Sequence, residues 1–485
     1  MSPRDLPTAP PSATGLDATA LLRLVREWEA TDGLEPHALA VVHRGALVAR
    51  ATWAPYMPDE DRLVYSVSKT VTACALGLLV GDGAVDLDAR VVDLLPHLVG
   101  PRTVPEWSAV TLRHCAAMAT GHAEDAVAAA WAADPDPVRG FLTVAPALAP
   151  GSRFVYDQPA TQVLAAVVEH VAGEGLLDLV RRRLLRPLGA GEGAWSRDPT
   201  GRALGFSGFR CTVDDLARLG LLLVRDGRHD GADVLPPGWV DEVVRMQVAT
   251  DDHDDPAGPD WLLGYGLQVW RSRHGWRADG AYGQFVLVVP EHDLVVALTG
   301  QTERTQRLLD LVWEHVVPAA VAPAPGSPRP GRPDDADEAL AAHLSRVTLP
   351  DGRARGGAVR PALPAEGVGL DPTGPLPGVR VHLAPAGDAA VRCTLLDGGR
   401  DGDDELVVVA DDGWSRHPAG TGAVAATLLS ADAGRVEVEL RPTHLPHALV
   451  LDADLVRGTA ALRFSTEPLS PVPLTLAGVL RPDGA

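Results

Sequence analysis

The chain has 485 residues, more than one average domain, which predicts two domains, one large and one smaller. Its apolar fraction of 46% and charged fraction of 22% are those of an ordinary globular protein and exclude a disordered or fibrous chain. A net charge of −21 opposes nucleic acid and anionic membranes as partners, so we expect a small neutral molecule as the ligand.

Targeting signals are not evident in the sequence. Residues 1–15 are polar and proline-rich without the apolar core of a signal peptide, and no later run approaches the roughly 18 apolar residues that cross a bilayer. We therefore expect a cytoplasmic protein, and its oligomeric state stays open. The cysteines lack Cys-x-x-Cys spacing, so reduced and mostly buried thiols are expected at Cys74, Cys115, Cys211 and Cys393.

Two hairpins bracket the first two thirds of the chain. The first pairs 38–42 with 46–52 around Arg44-Gly45, and the second pairs 284–289 with 294–299, after which a periodic helix follows. Both patterns predict antiparallel strand pairs.

Between the hairpins the chain is mainly helical. Apolar residues at helical spacing predict helices over 66–80 and 161–171. A third helix begins at Thr212, where Asp215 three residues on completes a variant of the capping box. Hairpin, helices, hairpin and helix together predict one mixed α/β (α+β) unit of about 320 residues.

A proline-rich stretch at 322–335 breaks every periodic pattern, as a linker does. We therefore predict a first domain at 1–321 and a second at 336–485. The second starts with a short helix around 337–347 and then alternates with a two-residue period, as in 436–440, which is typical of an antiparallel β domain.

Ser66 and Lys69 are one turn apart at the start of a predicted helix and therefore share a face. A serine hydroxyl is a weak nucleophile until a base takes its proton, and a lysine can do so only as a neutral amine, a form that burial and a helix N-terminus favour. The alternative is an exposed helix with an incidental Ser and Lys. Against it, Lys69 is the only lysine beside 42 arginines, and arginine cannot act as a base near neutral pH.

The segment Ser66-Val67-Ser68-Lys69 resembles the first motif of the serine β-lactamase, D,D-peptidase and carboxylesterase superfamily. Further similar segments follow in the order of that family and extend the resemblance over about residues 20 to 320. They are 111–122, the second motif at 154–158, the structural helix and loop at 212–220, 226–227 and 237–240, and the third motif at 278–284.

The resemblance implies a β-lactamase/transpeptidase-like antiparallel sheet flanked by helices. It assigns Ser66 as nucleophile, Lys69 as base and Tyr156 as proton shuttle. From the residue type alone, Tyr156 reads as a half-buried aromatic that packs its ring.

The resemblance to this superfamily also implies a substrate and oxyanion site formed by Gln158, Asp279, Gly280 and Ala281. The donors for the developing oxyanion are then the backbone N–H groups of Ser66 and Ala281. A glycine at 280 lets the strand pass close to the substrate.

Two positions depart from the family pattern. Gln158 stands where the family often has Asn, and Ala278 stands where β-lactamases and peptidases carry Lys or His, a cation that would hold a substrate carboxylate. We therefore expect a serine hydrolase acting on uncharged esters or amides. A β-lactamase or D,D-peptidase, and a binding or sensor protein without turnover, remain alternatives.

The predicted chemistry requires neither a cofactor nor a metal. His444 and His447 are three residues apart, but Pro446 between them forbids a regular helix and no third ligand is apparent, so we expect no metal site there.

Overall fold

The computed structural model describes residues 5–251, 258–320, 334–354, 363–387, 390–397, 404–431, 434–470 and 474–480. It divides into two compact units, one made of 1–51 with 63–346 and the other of 52–62 with 347–485.

The division between the units comes later in the chain than the predicted start of the second domain at 336. The predicted linker at 322–335 lies outside the described residues except for Asp334, the N-cap residue of a helix, and Asp335, the first residue of that helix. This helix belongs to the first unit, where its His343 Nε2 lies 2.9 Å from Glu29 Oε2.

A six-stranded sheet in the order β2-β1-β11-β10-β9-β8 is the centre of the first unit. Its pairs β1–β11, β10–β11, β9–β10 and β8–β9 are antiparallel. Smaller sheets have the orders β3-β5-β4 and β6-β7. The strands are β1 (Glu35–His43), β2 (Ala46–Thr52), β3 (Arg62–Leu63), β4 (Ala194–Trp195), β5 (Phe209–Cys211), β6 (Arg228–His229), β7 (Ala232–Asp233), β8 (Trp270–Arg271), β9 (Trp276–Gly280), β10 (Gln284–Val289) and β11 (Leu294–Gln301).

Helices flank this sheet. They are α1 (Pro11–Thr14), α2 (Ala18–Ala30), α3 (Val67–Gly81), α4 (Val91–Leu94), α5 (Leu112–Ala116), α6 (Val127–Ala133), α7 (Pro137–Phe141), α8 (Gln158–Ala172), α9 (Leu176–Val180), α10 (Arg186–Leu188), α11 (Val213–Val224), α12 (Trp239–Val244), α13 (Thr305–Leu311), α14 (Val317–Ala319) and α15 (Asp335–Leu344). Of these, α3 is buried from Val67 to Leu79 and packs between α8 and β9.

The second unit is built mainly from strands. Its elements are β12 (Val368–Leu370), β13 (Val379–Pro385), β14 (Val391–Asp397), β15 (Asp404–Ala410), β16 (Ser415–Ala419), β17 (Gly422–Ala431), β18 (Arg435–Pro442), β19 (Leu449–Asp454), β20 (Thr459–Phe464) and α16 (Leu476–Leu480). The strands form two antiparallel sheets with the orders β12-β13-β14-β15 and β16-β17-β18-β19-β20. Alternating inward residues of both sheets, such as Val391, Cys393 and Leu395, form one apolar core.

The predicted fold class is confirmed: a mixed α/β unit with an antiparallel sheet flanked by helices, followed by an antiparallel β unit. Both predicted hairpins are present as β1–β2 and β10–β11. Thr212 caps α11 in the predicted capping box with Asp215. The four cysteines are buried free thiols, as expected.

Candidate active site

Ser66 stands at the N-terminal end of α3 and is half-buried, unlike the helix that follows it. Tyr65, immediately before it, adopts the left-handed backbone conformation with φ 47°. This conformation is uncommon for a residue with a large side chain and turns the chain sharply into the helix. The hydroxyl of Ser66 is therefore accessible at the end of a buried helix.

The amine of Lys69 is surrounded by three oxygen atoms. Its Nζ lies 2.8 Å from Ser66 Oγ, 2.6 Å from Gln158 Oε1 and 2.9 Å from the carbonyl oxygen of Phe206. The carbonyl oxygens of Gln158 and Phe206 can only accept, so they engage two N–H groups of the amine in either protonation state. A neutral amine has only two N–H groups, and its lone pair then faces the hydroxyl of Ser66.

Burial lowers the pKa of Lys69 from 10.5 to about 7, because the charged form loses its hydration. The side chain is 1% exposed. The carboxylates of Asp125 and Asp279 act in the opposite direction and raise the pKa of Lys69, but by less. The amine is therefore substantially neutral near neutral pH.

Tyr156 completes the group around the amine. The centroid of its ring lies 4.7 Å from Lys69 Nζ, and its hydroxyl is hydrogen-bonded to Ser66. Burial raises the pKa of Tyr156 well above its usual value, so the phenol is protonated at neutral pH. It can donate a proton to a reacting group beside Ser66.

An aromatic cluster fixes the ring of Tyr156. Trp270 stacks on it with 5.6 Å between ring centroids, and Tyr265 meets it edge-on at 6.3 Å. The backbone before Tyr156 is held as well, because the N–H of Val155 donates to the carbonyl of Met118 just after α5. These contacts hold the ring of Tyr156 beside the amine of Lys69.

Gln158 is the first residue of α8, and its side-chain oxygen binds Lys69. Its own N–H donates to Asp125 Oδ1 at 3.1 Å. Asp125 is exposed, yet partial desolvation and the nearby carboxylate of Asp157 raise the pKa of Asp125 to about 6. The side chain of Gln158 therefore contacts the amine, and its place in the substrate and oxyanion site stays a prediction.

The third motif is the end of β9. A Cβ at Gly280 would lie 2.3 Å from the carbonyl oxygen of Val64, so only glycine allows this strand to approach the segment before Ser66. Asp279 Oδ2 accepts from Arg277 Nε at 2.8 Å, and Ala278 is buried. Ala281 follows directly and is half-buried.

The structure brings Ser66, Tyr156 and Gln158 into contact with the amine of Lys69, and it brings Gly280 against the turn before Ser66. The sequence analysis missed Phe206, Asp125 and Arg277. Phe206 contributes its backbone carbonyl, a group that every residue has. The one sequence feature that could have indicated its position is the pair of glycines at 205 and 208. At Gly205 a Cβ would lie 2.7 Å from that of Ala165 on α8, so glycine is needed there.

Comparisons with known proteins show the family of the chain. The family described as Beta-lactamase matches residues 23–319. The 6-aminohexanoate-dimer hydrolase of Paenarthrobacter ureafaciens is 27% identical over 281 residues, 53% of this chain and 71% of that protein. Penicillin-binding protein 4 of Amycolatopsis lactamdurans is 28% identical over 311 residues, 54% of this chain and 76% of that protein.

The likeness extends to solved structures. A penicillin-binding protein homolog from Caulobacter crescentus superposes with a TM-score of 0.50 at 18% identity, covering 64% of this chain and 100% of that one. The chain belongs to the beta-lactamase family, since the family match covers more than half of it. It is therefore an enzyme of the hydrolase class, and the predicted resemblance is confirmed.

Across the described ranges, no helix combines the length and the apolar character that crossing a membrane requires.

Proposed function

We propose that the protein hydrolyses an ester or amide through an acyl-enzyme on Ser66, with Lys69 as base and Tyr156 as proton shuttle. The observation that supports this proposal best is the arrangement of the amine. Lys69 Nζ lies 2.8 Å from Ser66 Oγ while Gln158 and Phe206 engage its other N–H groups. Its lone pair is thus directed at the one hydroxyl proton that must be removed.

In the acylation half, the neutral amine of Lys69 takes the proton of Ser66 as Oγ attacks the substrate carbonyl. The tetrahedral intermediate then loses its leaving group, which takes a proton from the hydroxyl of Tyr156. The ammonium of Lys69 returns a proton to Tyr156, so both groups end this half as they began it.

In the deacylation half, water attacks the acyl-enzyme and loses its proton to the same pair of groups, and Ser66 regains its proton as the carboxylic acid leaves. The overall change is the addition of one water molecule across the ester or amide bond. The chain's own residues suffice for each transfer in this scheme.

The developing oxyanion requires two donors, for which we propose the N–H groups of Ser66 and Ala281. The close approach of Gly280 to the carbonyl of Val64 supports this assignment, because it holds the end of β9 beside the nucleophile. Asp279 borders the same site, with its carboxylate turned to Arg277.

We propose an uncharged acyl group at the scissile bond. Ala278 offers no cation to a substrate carboxylate, and the guanidinium of Arg277 is fully buried against Asp279 and Trp261. One relative is named for hydrolysis of a 6-aminohexanoate dimer, which supports a small-molecule substrate. A small-molecule substrate and a cytoplasmic location remain predictions from the sequence.

Penicillin-type substrates are a second candidate, because one relative is named a penicillin-binding protein. They would acylate the same serine, so intact-mass measurement after addition of a penicillin distinguishes the candidates. An adduct with the ester substrate that releases no product would instead favour a binding or sensor protein.

The test of the main proposal is the Ser66→Ala variant with Lys69→Arg beside it. Both are expected to lose turnover of a chromogenic short-chain ester, and Ser66→Ala is expected to lose covalent labelling by a fluorophosphonate. Lys69→Arg introduces a permanent positive charge and cannot accept a proton near neutral pH. Full turnover by either variant would overturn the proposal.

The second unit is proposed to be an accessory domain. It includes residues 52–62, where Glu60 Oε1 accepts from Thr443 at 3.0 Å and also pairs with Arg416. A truncation after 333 therefore removes the partners of this internal segment as well as the C-terminal sheets.

A further inference from the structure

Gln268 lies in the loop before β8, buried to 2% exposure, with the left-handed backbone angle φ 62°. Eight non-glycine residues of the described chain have a positive φ, and four of them border the candidate active site: Tyr65, Met118, Gln268 and Tyr282. The other four are Arg44, Asp226, Asp230 and Asp293, and Arg44 and Asp293 lie in hairpin turns. Non-glycine residues in this conformation cluster at functional sites when the surrounding structure holds them there.

The polar atoms of Gln268 bind three helices at once. Its Oε1 accepts from Thr161 Oγ1 of α8 at 2.6 Å, and its Nε2 donates to the carbonyl oxygen of Ala116 in α5 at 2.8 Å. Its backbone carbonyl accepts from Thr70 Oγ1 of α3 at 2.8 Å. All three contacts are buried, so each bond has little competition from water.

The partners of Gln268 stand next to the reacting groups. Thr70 follows Lys69 in α3, and Thr161 lies one turn after Gln158 in α8. Gln268 therefore joins α3, which bears the amine of Lys69, to α8, which bears Gln158, the acceptor of that amine.

The same loop also reaches the phenol. Trp270, two residues after Gln268, stacks on the ring of Tyr156, and Trp270 packs against Tyr265 at 4.9 Å between centroids. A change in the loop at 268 would therefore move the support of the phenol as well as the two helices.

We propose that Gln268 is a positioning residue, which holds the amine of Lys69, the amide of Gln158 and the phenol of Tyr156 in register for acyl transfer. This inference rests on the proposed function. Misplacing a reacting group by about 1 Å can cost about 100-fold in rate. Gln268 touches none of the reacting atoms itself and acts through Thr70, Thr161 and Trp270.

The test compares variants of Gln268 by kcat, KM and the pH profile of kcat/KM on a chromogenic ester. Gln268→Asn tolerates the left-handed backbone but is one methylene shorter, and Gln268→Met keeps the length without the hydrogen bonds. Each is expected to lower kcat at least about 10-fold with little change in KM. The acid limb of kcat/KM is expected to shift to higher pH, because water that reaches Lys69 returns the pKa of its amine toward the ordinary value.

Thr161→Val provides a milder variant if those at 268 fail to fold, since it removes one hydroxyl and keeps the shape. Its effect on kcat should largely disappear when Gln268→Met is already present, because both changes remove the same bond.

Val295→Ala is the control for a general loss of stability, because Val295 is a fully buried residue of β11 beside α11. This variant should unfold at lower temperature and keep the wild-type kcat and pH profile at 25 °C. Ser66→Ala, run in the same assay, separates the two proposals. If it retains turnover, the proposed function is wrong. If it loses turnover while Gln268→Asn keeps the wild-type kcat and acid limb, only the positioning role is wrong.

Discussion

Lys69 Nζ and Ser66 Oγ lie 2.8 Å apart, and Lys69 is buried to 1% exposure. Burial and contact have separate effects here. The contact lets the amine reach the hydroxyl proton, and burial makes the neutral form available to take it. The same pair thus defines both the geometry and the working pH of the proposed hydrolase.

The pH dependence of kcat/KM is expected to follow the titration of Lys69. Its pKa is lowered to about 7, and the active form is the neutral amine, so activity should rise as pH increases through about 7 and then level off. Stopped-flow or plate-reader assays of a neutral ester between pH 5 and 9 would measure this limb. An ester without titratable groups is needed, and a profile that is flat through this range would contradict the assignment of Lys69 as base.

Removing the carboxylate of Asp125 should shift the acid limb of the pH profile of kcat/KM. The charge of Asp125 raises the pKa of Lys69, so Asp125→Asn is expected to lower it and to move the acid limb of kcat/KM to lower pH. The amide oxygen of Asn can still accept from the N–H of Gln158, which limits structural change. Asp125→Glu keeps the charge and serves as the control. A shift to higher pH in Asp125→Asn would have the wrong sign for this electrostatic account.

Tyr156→Phe keeps the ring that covers the amine and removes only the hydroxyl. Loss of a general acid typically costs about 10² to 10⁴-fold in rate, so kcat should fall on that scale for an alkyl ester or amide. A nitrophenyl ester has a better leaving group and should show a smaller loss. Measuring both substrates with the same variant tests the role, because equal losses on both would mean that Tyr156 does not protonate the leaving group.

The fold and the contact between Ser66 and Lys69 could be predicted from the sequence because their signals are local. A serine and a lysine three residues apart on a helix must share a face, and the two hairpins have turn residues between alternating strands. The resemblance to a known family then supplied Tyr156 and the third motif. These parts of the structure depend on residue types at fixed spacings.

The remaining parts of the site could not be predicted, because they depend on tertiary contacts without a side-chain signature. The acceptor from Phe206 is a backbone carbonyl, positioned by a loop that packs on α8 at Gly205. The carboxylate of Asp125 reaches the site through a bond to the N–H of Gln158. The predicted linker includes Asp334, whose side chain caps α15 in a capping box with Asp337.

Gly280→Ala tests whether the close approach of β9 to the turn before Ser66 matters for the proposed catalysis. The added Cβ would lie 2.3 Å from the carbonyl oxygen of Val64, which is backbone and cannot rotate away, so β9 must move. Overpacking of this kind typically costs about 1–3 kcal/mol, and a displacement of about 1 Å at the oxyanion donors should lower kcat about 100-fold. Denaturant unfolding and ester turnover would measure the two effects. Gly100→Ala is the matched control, because a Cβ there meets nothing within 4 Å. If the two variants match in both stability and kcat, the end of β9 does not take part in the site as described.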